Sequence, residues 1–393
     1  MDLETLNSVY DNEYLKINKI LQELTGLWPF GSKKQNFIRR VIALSTLSII
    51  IMPCLNALRV WCGKDLGICS ENICGSLYVM ACFSKYLVTV LNEGSLKILY
   101  EHVAAMWLSI KDPNEKELMI KYAKSGHLKT VGYCAYLGLA AVGFSQFTMY
   151  PVFLDIIKPL NGSRQKLLFV KAEYGVDPFE HYYKIYAAYC IATIVSALAF
   201  MAIDTTYTAI VHQNLGVFGV VRYRLRIATQ IPPHDSQDYA YNTIVSAIKL
   251  HEKSLEFIKL IDSSYSILFL ILILQCVIFM AFGMVTIMEN MSEPIDLIRM
   301  VLFQIGVAVH LFYMNWPGQL VVNESSKIHL AAYQNQWYAI PERAKRLLKI
   351  MMIRTTRPSR LSAAGFYDMN FENYGSIIKS TLSYSAVLAS FRE

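Results

Sequence analysis

Apolar residues run along this chain in seven blocks, and the polar stretches between them hold most of the charge. The blocks fall at about 37–60, 73–92, 129–152, 183–205, 264–288, 297–316 and 373–391, each near the roughly 20 residues that a helix needs to cross a bilayer. The fifth is the most continuous, almost unbroken from Ile267 to Phe282. The seventh is the weakest. On a helix its Ser376, Ser380, Ser383, Val387 and Ser390 form one stripe, small and hydroxylated except for the valine. Ile377, Ile378, Tyr384, Leu388 and Phe391 lie mostly off it. Such a stripe turns away from lipid, toward another helix or toward water. Periodicity leaves both open.

Two of the polar stretches also carry a helical period. Residues 239–263 space Ile244, Ile248, Leu255, Ile258 and Ile261 so that the fifth span is expected to continue past the membrane as an amphipathic helix. Residues 334–357 set Trp337, Leu347, Leu348, Ile350, Met351 and Ile353 among Arg343, Lys345, Arg346, Lys349, Arg354 and Arg357. That pattern suits a basic helix on an anionic membrane surface, or a helical contact between subunits. Pro232, Pro233 and Pro358 break these regions.

Composition agrees with the blocks. Of 393 residues 54% are hydrophobic and 17% charged, where a soluble protein would carry about 25% charged residues. No short apolar run with a small-residue cleavage site precedes the first block, which is expected to insert as a signal anchor. The net charge is +7, but it is not gathered into a nucleic-acid-binding patch. Most Lys and Arg lie before the first span and in every second connection, which places the N-terminus inside and, after seven spans, the C-terminus outside. The sequons at Asn161 and Asn290 then lie outside and are candidate glycosylation sites, whereas the sequon at Asn323 lies inside. The expected fold is an all-α membrane protein of seven transmembrane helices. Its segments are 1–36 (cytoplasmic), 37–316 (helices 1–6), 317–372 (a cytoplasmic helical anchor region) and 373–393 (helix 7).

Little of this sequence suits catalysis. Paired carboxylates, HExxH, GxSxG, a P-loop and a dinucleotide fingerprint are all missing. Neither a metal site nor a cofactor is expected. Of eight cysteines, Cys62, Cys69 and Cys74 cluster in the first outer loop, where a disulfide is possible but not assignable. Lys85, Asp204, Gln275, Gln304, His310, Asn315 and Lys379 lie within spans, where polar groups are costly and read first as interhelical hydrogen bonds. Aromatic residues gather at the predicted outer ends of spans 2 to 5: Tyr78, Phe144, Phe147, Tyr150, Tyr183, Tyr186, Tyr189, Phe279 and Phe282. An interfacial belt accounts for many such residues. The alternative is a mostly apolar pocket between helices, suited to small hydrophobic volatiles. If the serine stripe lined a pore, one such helix per chain would require an oligomer, and Val387 would form an apolar ring able to gate by dewetting.

The last third carries an ordered set of short motifs: Pro317-Gly318-Gln319, Asn323-Glu324-Ser325, Tyr333 with Trp337-Tyr338, Arg354 before Pro358, then Ala363-Ala364-Gly365-Phe366 and the terminal Ser383-Tyr384 with Val387-Leu388. With them the chain resembles the insect odorant receptor family. The resemblance implies an odorant-gated, non-selective cation channel of inverted topology in the plasma membrane of olfactory sensory neurons. It implies a tetramer in which an odorant-binding subunit pairs with a shared co-receptor. The cytoplasmic ends of spans 4 to 7 would hold the subunits together, and the last helix would line the pore. By motif position Val387 matches the gate, Ser390 and Phe391 the outer mouth, and Ser376, Ser380 and Ser383 the lining. The odorant would lie between the outer halves of spans 2 to 6, where Tyr78, Phe144, Phe147, Tyr150, Tyr186, Tyr189, Phe279 and Phe282 are expected. The 213–263 stretch lacks the co-receptor's long insertion, so the chain resembles an odorant-tuning subunit. A gustatory-type channel is the nearest alternative. A G-protein-coupled receptor is opposed by the charge bias, and a secondary transporter by the lack of an inverted repeat.

Overall fold

Alternating apolar blocks and amphipathic flanks produce a bundle of helices much longer than the apolar blocks themselves. A computed structural model describes residues 2–159, 164–230 and 237–390, with side chains described over 239–383 in the last stretch. Two short helices, α1 (Leu3–Tyr10) and α2 (Lys16–Leu24), precede α3 (Lys33–Trp61), α4 (Leu66–Leu91), α5 (Glu93–Ser109) and α6 (Pro113–Ile157). Then come α7 (Tyr182–Ile227), α8 (Gln237–Glu289), α9 (Pro294–Tyr333), α10 (Glu342–Thr355) and α11 (Phe371–Ser390). A two-stranded antiparallel hairpin, β1 (Ser362–Ala363) and β2 (Tyr367–Asp368), stands just before α11.

Six helices, α3, α4, α6, α7, α8 and α9, are long and apolar enough to cross a membrane. α11 supplies the weaker seventh block and packs on α8 and α9. The centre of the bundle is α7, in which every residue from 202 to 221 is buried. A helix buried on all faces must be small or apolar nearly all round, and Ala202, Ala209, Gly216 and Gly219 are among the residues that let neighbours approach α7 closely.

Four helices overrun their apolar blocks at the same end of the bundle. α6 begins at Pro113, α7 continues to Ile227, α8 begins at Gln237 and α9 runs to Tyr333. Hydropathy marks what lipid tolerates, not where a helix ends, and charged residues continue a helix well. They also join the extensions. Arg224 donates to both oxygens of Glu115 at 2.6 and 2.7 Å. Arg222 pairs with Glu324 at 2.6 Å, and Tyr122 donates to the same carboxylate. The continuation of the fifth span through 239–263 is realised in α8. The boundary expected at 316 is not a helix end, because Pro317 lies inside α9.

The N-terminal segment is part of this core. The Tyr10 hydroxyl donates to the Tyr100 carbonyl at 3.0 Å, and Gln22 Nε2 donates to the Ala202 carbonyl at 2.8 Å. In α10, Ala344, Leu348, Met351 and Thr355 are buried, an i, i+4, i+7, i+11 face laid on α8 and α9. The basic residues of α10 occupy its other faces.

Candidate ligand site and last helix

At one end of the bundle, aromatic rings from five helices and one connection come into contact. Phe303 of α9 is the hub, with ring centroids 5.4 Å from Tyr78 of α4, 5.6 Å from Phe144 of α6 and 5.2 Å from Phe279 of α8. Tyr78 stacks on Phe200 of α7 at 6.0 Å. Phe169, from the connection between α6 and α7, contacts Phe144, Tyr186 and Tyr189 at 5.6, 5.7 and 5.2 Å. Such offset and edge contacts each add about 0.5–1.5 kcal/mol beyond area burial. The lining is apolar apart from a few hydroxyls, as at Tyr78, whose oxygen lies 2.9 Å from Ser196 Oγ.

Of the expected residues, the structure brings together Tyr78, Phe144, Tyr186, Tyr189 and Phe279. Phe282 lies at the edge of this group, half-buried. Phe147 is half-buried, and Tyr150, 48% exposed, faces outward from α6. Among the described residues neither makes a ring contact. Sequence reasoning missed Phe303, Phe200 and Phe169. A signal existed for Phe303, since Phe303, Val307 and His310 share one face of α9. Phe169 carries none, because it reaches the cluster from a loop.

That loop is held down by charge. Arg299 of α9, 6% exposed, donates to the carbonyls of Leu168 and Phe169 at 3.0 and 3.1 Å and to Glu71 Oε1 at 2.8 Å. Asp296 pairs with Arg299 at 3.0 Å and with Lys171 at 2.6 Å, and Asn72 donates to the Lys171 carbonyl. Nearby, Cys62 and Cys69 form the disulfide that the three loop cysteines left unassigned, and Cys74 is buried as a free thiol.

On the far side of Phe200 lies a buried polar group from four helices. Lys85 of α4 is 1% exposed and ion-paired with Asp204 of α7. Its ammonium also sits 4.1 Å from the centre of the Phe200 ring, a cation–π contact. Tyr133 of α6 donates to Asp204 Oδ2 at 2.8 Å and lies 3.0 Å from His310 Nδ1 of α9. The interhelical bonding expected for Asp204 and His310 is present. A narrow cleft lies farther along α7, lined by Tyr10, Asn18, Gln22, Trp28, Tyr100 and Gln213. α1 and α2 cover it, and it is separate from the aromatic cluster. Among the described residues no group of His, Cys, Asp and Glu could hold a metal ion.

In α11, Thr381 is buried and Tyr374 and Ile377 pack against the core, while Ser376, Ser380 and Ser383 are exposed on the opposite side. Lys379 and Leu382 are exposed as well. The side chains of Val387 and Ser390 and all of Phe391 lie outside the described residues, as does Asn161. Asn290 is only 9% exposed, and its Nδ2 donates to the Thr286 carbonyl.

α11 starts from a built junction. Gln319 of α9 accepts from the Phe371 backbone at 3.0 Å, and Asp262 of α8 accepts from the Ser362 backbone at 2.6 Å. The hairpin turn uses positive φ at Ala364 (51°) and Gly365 (75°). Phe312 of α9 stacks on Phe371 at 5.2 Å.

A bundle of long apolar helices with an aromatic site between them is a multi-pass membrane protein of the receptor type. The chain belongs to the 7tm odorant receptor family, whose model matches residues 67–382. It is 21% identical to Odorant receptor 10 of Aedes albopictus over 290 residues, covering 71% of this chain and 72% of that one. Over 361 residues it is 19% identical to Odorant receptor 9a of Drosophila melanogaster, covering 89% and 88%. Its fold is similar to that of the insect olfactory receptor OR5 of Machilis hrabei in complex with eugenol. That match has a TM-score of 0.77 at 15% identity and covers 97% of this chain and 100% of that one. The family is one of receptors, not of enzymes.

Proposed function

We propose that this protein is the odorant-tuning subunit of a heteromeric, odorant-gated, non-selective cation channel. It sits in the plasma membrane of olfactory sensory neurons, paired with the shared co-receptor in a tetramer. The N-terminus is inside, and the aromatic cluster lies in the outer half of the bundle, where a small hydrophobic volatile binds among Tyr78, Phe144, Phe279 and their neighbours. α11 lines the pore.

The observation that carries this reading is the orientation of α11. Tyr374 and Ile377 pack against the core, and Ser376, Ser380 and Ser383 are exposed on the opposite side. A hydroxylated face left exposed by the described residues needs either another helix or water. Copies of α11 around a symmetry axis supply both. α8 and α9 provide Phe279 and Phe303 to the ligand cluster and also hold the start of α11, so a ligand that shifts them acts on the pore helix.

Whole-cell recording against an odorant panel, with and without the co-receptor, tests the reading. Odorant-evoked cation current is expected only with the co-receptor. A C-terminal epitope tag should be reached by antibody on unpermeabilised cells. A tag reached only after permeabilisation, or saturable uptake without current, would overturn the channel assignment.

A further inference from the structure

His310 carries a buried ring nitrogen with no hydrogen-bond partner among the described residues. Its Nδ1 lies 3.0 Å from the Tyr133 hydroxyl, while its Nε2 is buried with no hydrogen-bond partner. The proton positions follow from the neighbours. Asp204, ion-paired with Lys85, only accepts, and the Tyr133 hydroxyl has one proton to give. That proton goes to Asp204, so the contact between Tyr133 and His310 is made by Nδ1–H donating to the phenolic oxygen. In the neutral ring this leaves Nε2 as a bare acceptor. A buried acceptor without a donor costs about 1–3 kcal/mol.

What separates this nitrogen's ring from the aromatic cluster is Phe200. That ring contacts both: His310 nearly perpendicular at 5.1 Å, and Tyr78 stacked at 6.0 Å. His310 also continues the α9 face that carries Phe303 and Val307. Phe200 is thus the side chain shared between the aromatic cluster and His310, and its displacement would open a route between them.

We propose that His310 is a specificity-determining residue: a hydrogen-bond acceptor at the floor of the aromatic site that selects ligands carrying a hydroxyl. The preferred ligand class is small alcohols and phenols, with the apolar body among the rings and the hydroxyl donating to Nε2. Tyr133 acts as a positioning residue that fixes the tautomer. This inference rests on the odorant-receptor reading above.

The test uses the full channel with its co-receptor and matched pairs of ligands: medium-chain alcohols against their methyl ethers, and phenol against anisole. The readout is the ratio of half-maximal concentrations within each pair, which does not depend on expression level. The wild-type channel should favour the hydroxyl compound by about tenfold. His310→Asn keeps an amide donor near the Nδ1 position and removes the Nε2 acceptor, and the ratio should fall to near one. Tyr133→Phe frees the tautomer and should lower the ratio without abolishing the ether response. Ether and alcohol currents of equal sensitivity in wild type, or a preference that survives both substitutions, would overturn the subsite while leaving the receptor-channel reading intact. Silence to the whole panel from a channel at the cell surface would overturn that reading, and the subsite with it.

Discussion

Gly318 lies directly against Met369. A β-carbon at position 318 would overlap the Met369 carbonyl oxygen and come within 2.7 Å of the Met369 side chain. This contact seats the connection leading into α11 on the middle of α9.

Gly318→Ala should therefore push the hairpin and the start of α11 away from α9. Overpacking of this kind costs about 1–3 kcal/mol. The expected outcome is a channel that reaches the surface but whose maximal odorant-evoked current is sharply reduced, because movement of α9 no longer reaches α11. Surface labelling alongside recording checks it. Full-size currents at normal surface density would show that the junction does not carry the signal.

Val387→Ala should raise resting current. If Val387 forms the apolar gate that the family resemblance implies, a smaller ring dewets less readily and closed channels would leak. Recording without odorant in the assembled channel gives the answer, and an unchanged baseline with normal expression removes Val387 from the gate.

Arg299→Ala leaves Glu71 buried without its cation, takes one of two cations from Asp296 and frees the carbonyls of Leu168 and Phe169. Removing one partner of a buried pair costs about 3–5 kcal/mol. Here Lys171 still serves Asp296, so the lower end is expected. Phe169 should leave the aromatic cluster, and odorant sensitivity should fall more than tenfold. Arg299→Lys keeps the charge but loses the fork that spans two carbonyls and a carboxylate, and it should recover only part of the sensitivity. Equal dose–response curves for wild type and Arg299→Ala would exclude a role for Phe169 in binding.

His102 on α5 stacks on Phe257 at 4.9 Å, and burial against that ring holds its pKa below the usual 6.5. The unfolded chain then binds more protons than the folded one as pH falls through that value. Stability is fully present above about pH 6.5 and declines below it. Thermal melts of detergent-solubilised protein at pH 7.5 and 5.5 should show this decline, and His102→Gln should flatten it. A pH response identical in the variant would assign it to other groups.

Much of this architecture was legible in the sequence, because apolar blocks and a 3.6-residue period follow directly from burial in lipid and against neighbours. The serine stripe of α11 and the aromatic ends of α4, α6, α7 and α8 were read from spacing alone. The helical extensions of α6, α7 and α9 were not, because Glu115, Arg222 and Glu324 look like loop charges until their partners are known. Phe169 was invisible for a related reason: its place depends on Arg299, 130 residues away. The sixth span was expected to end at 316, yet α9 passes through Pro317. The Pro317-Gly318-Gln319 motif instead joins α9 to α11, with Gly318 against Met369 and Gln319 bonded to Phe371.

The pairing of Lys85 with Asp204 has an electrical consequence. A charge carried through the membrane field exchanges about 2.3 kcal/mol per 100 mV. Moved together, an ammonium and a carboxylate exchange none. A rearrangement that shifts α4 and α7 as a unit therefore leaves this pair blind to transmembrane voltage.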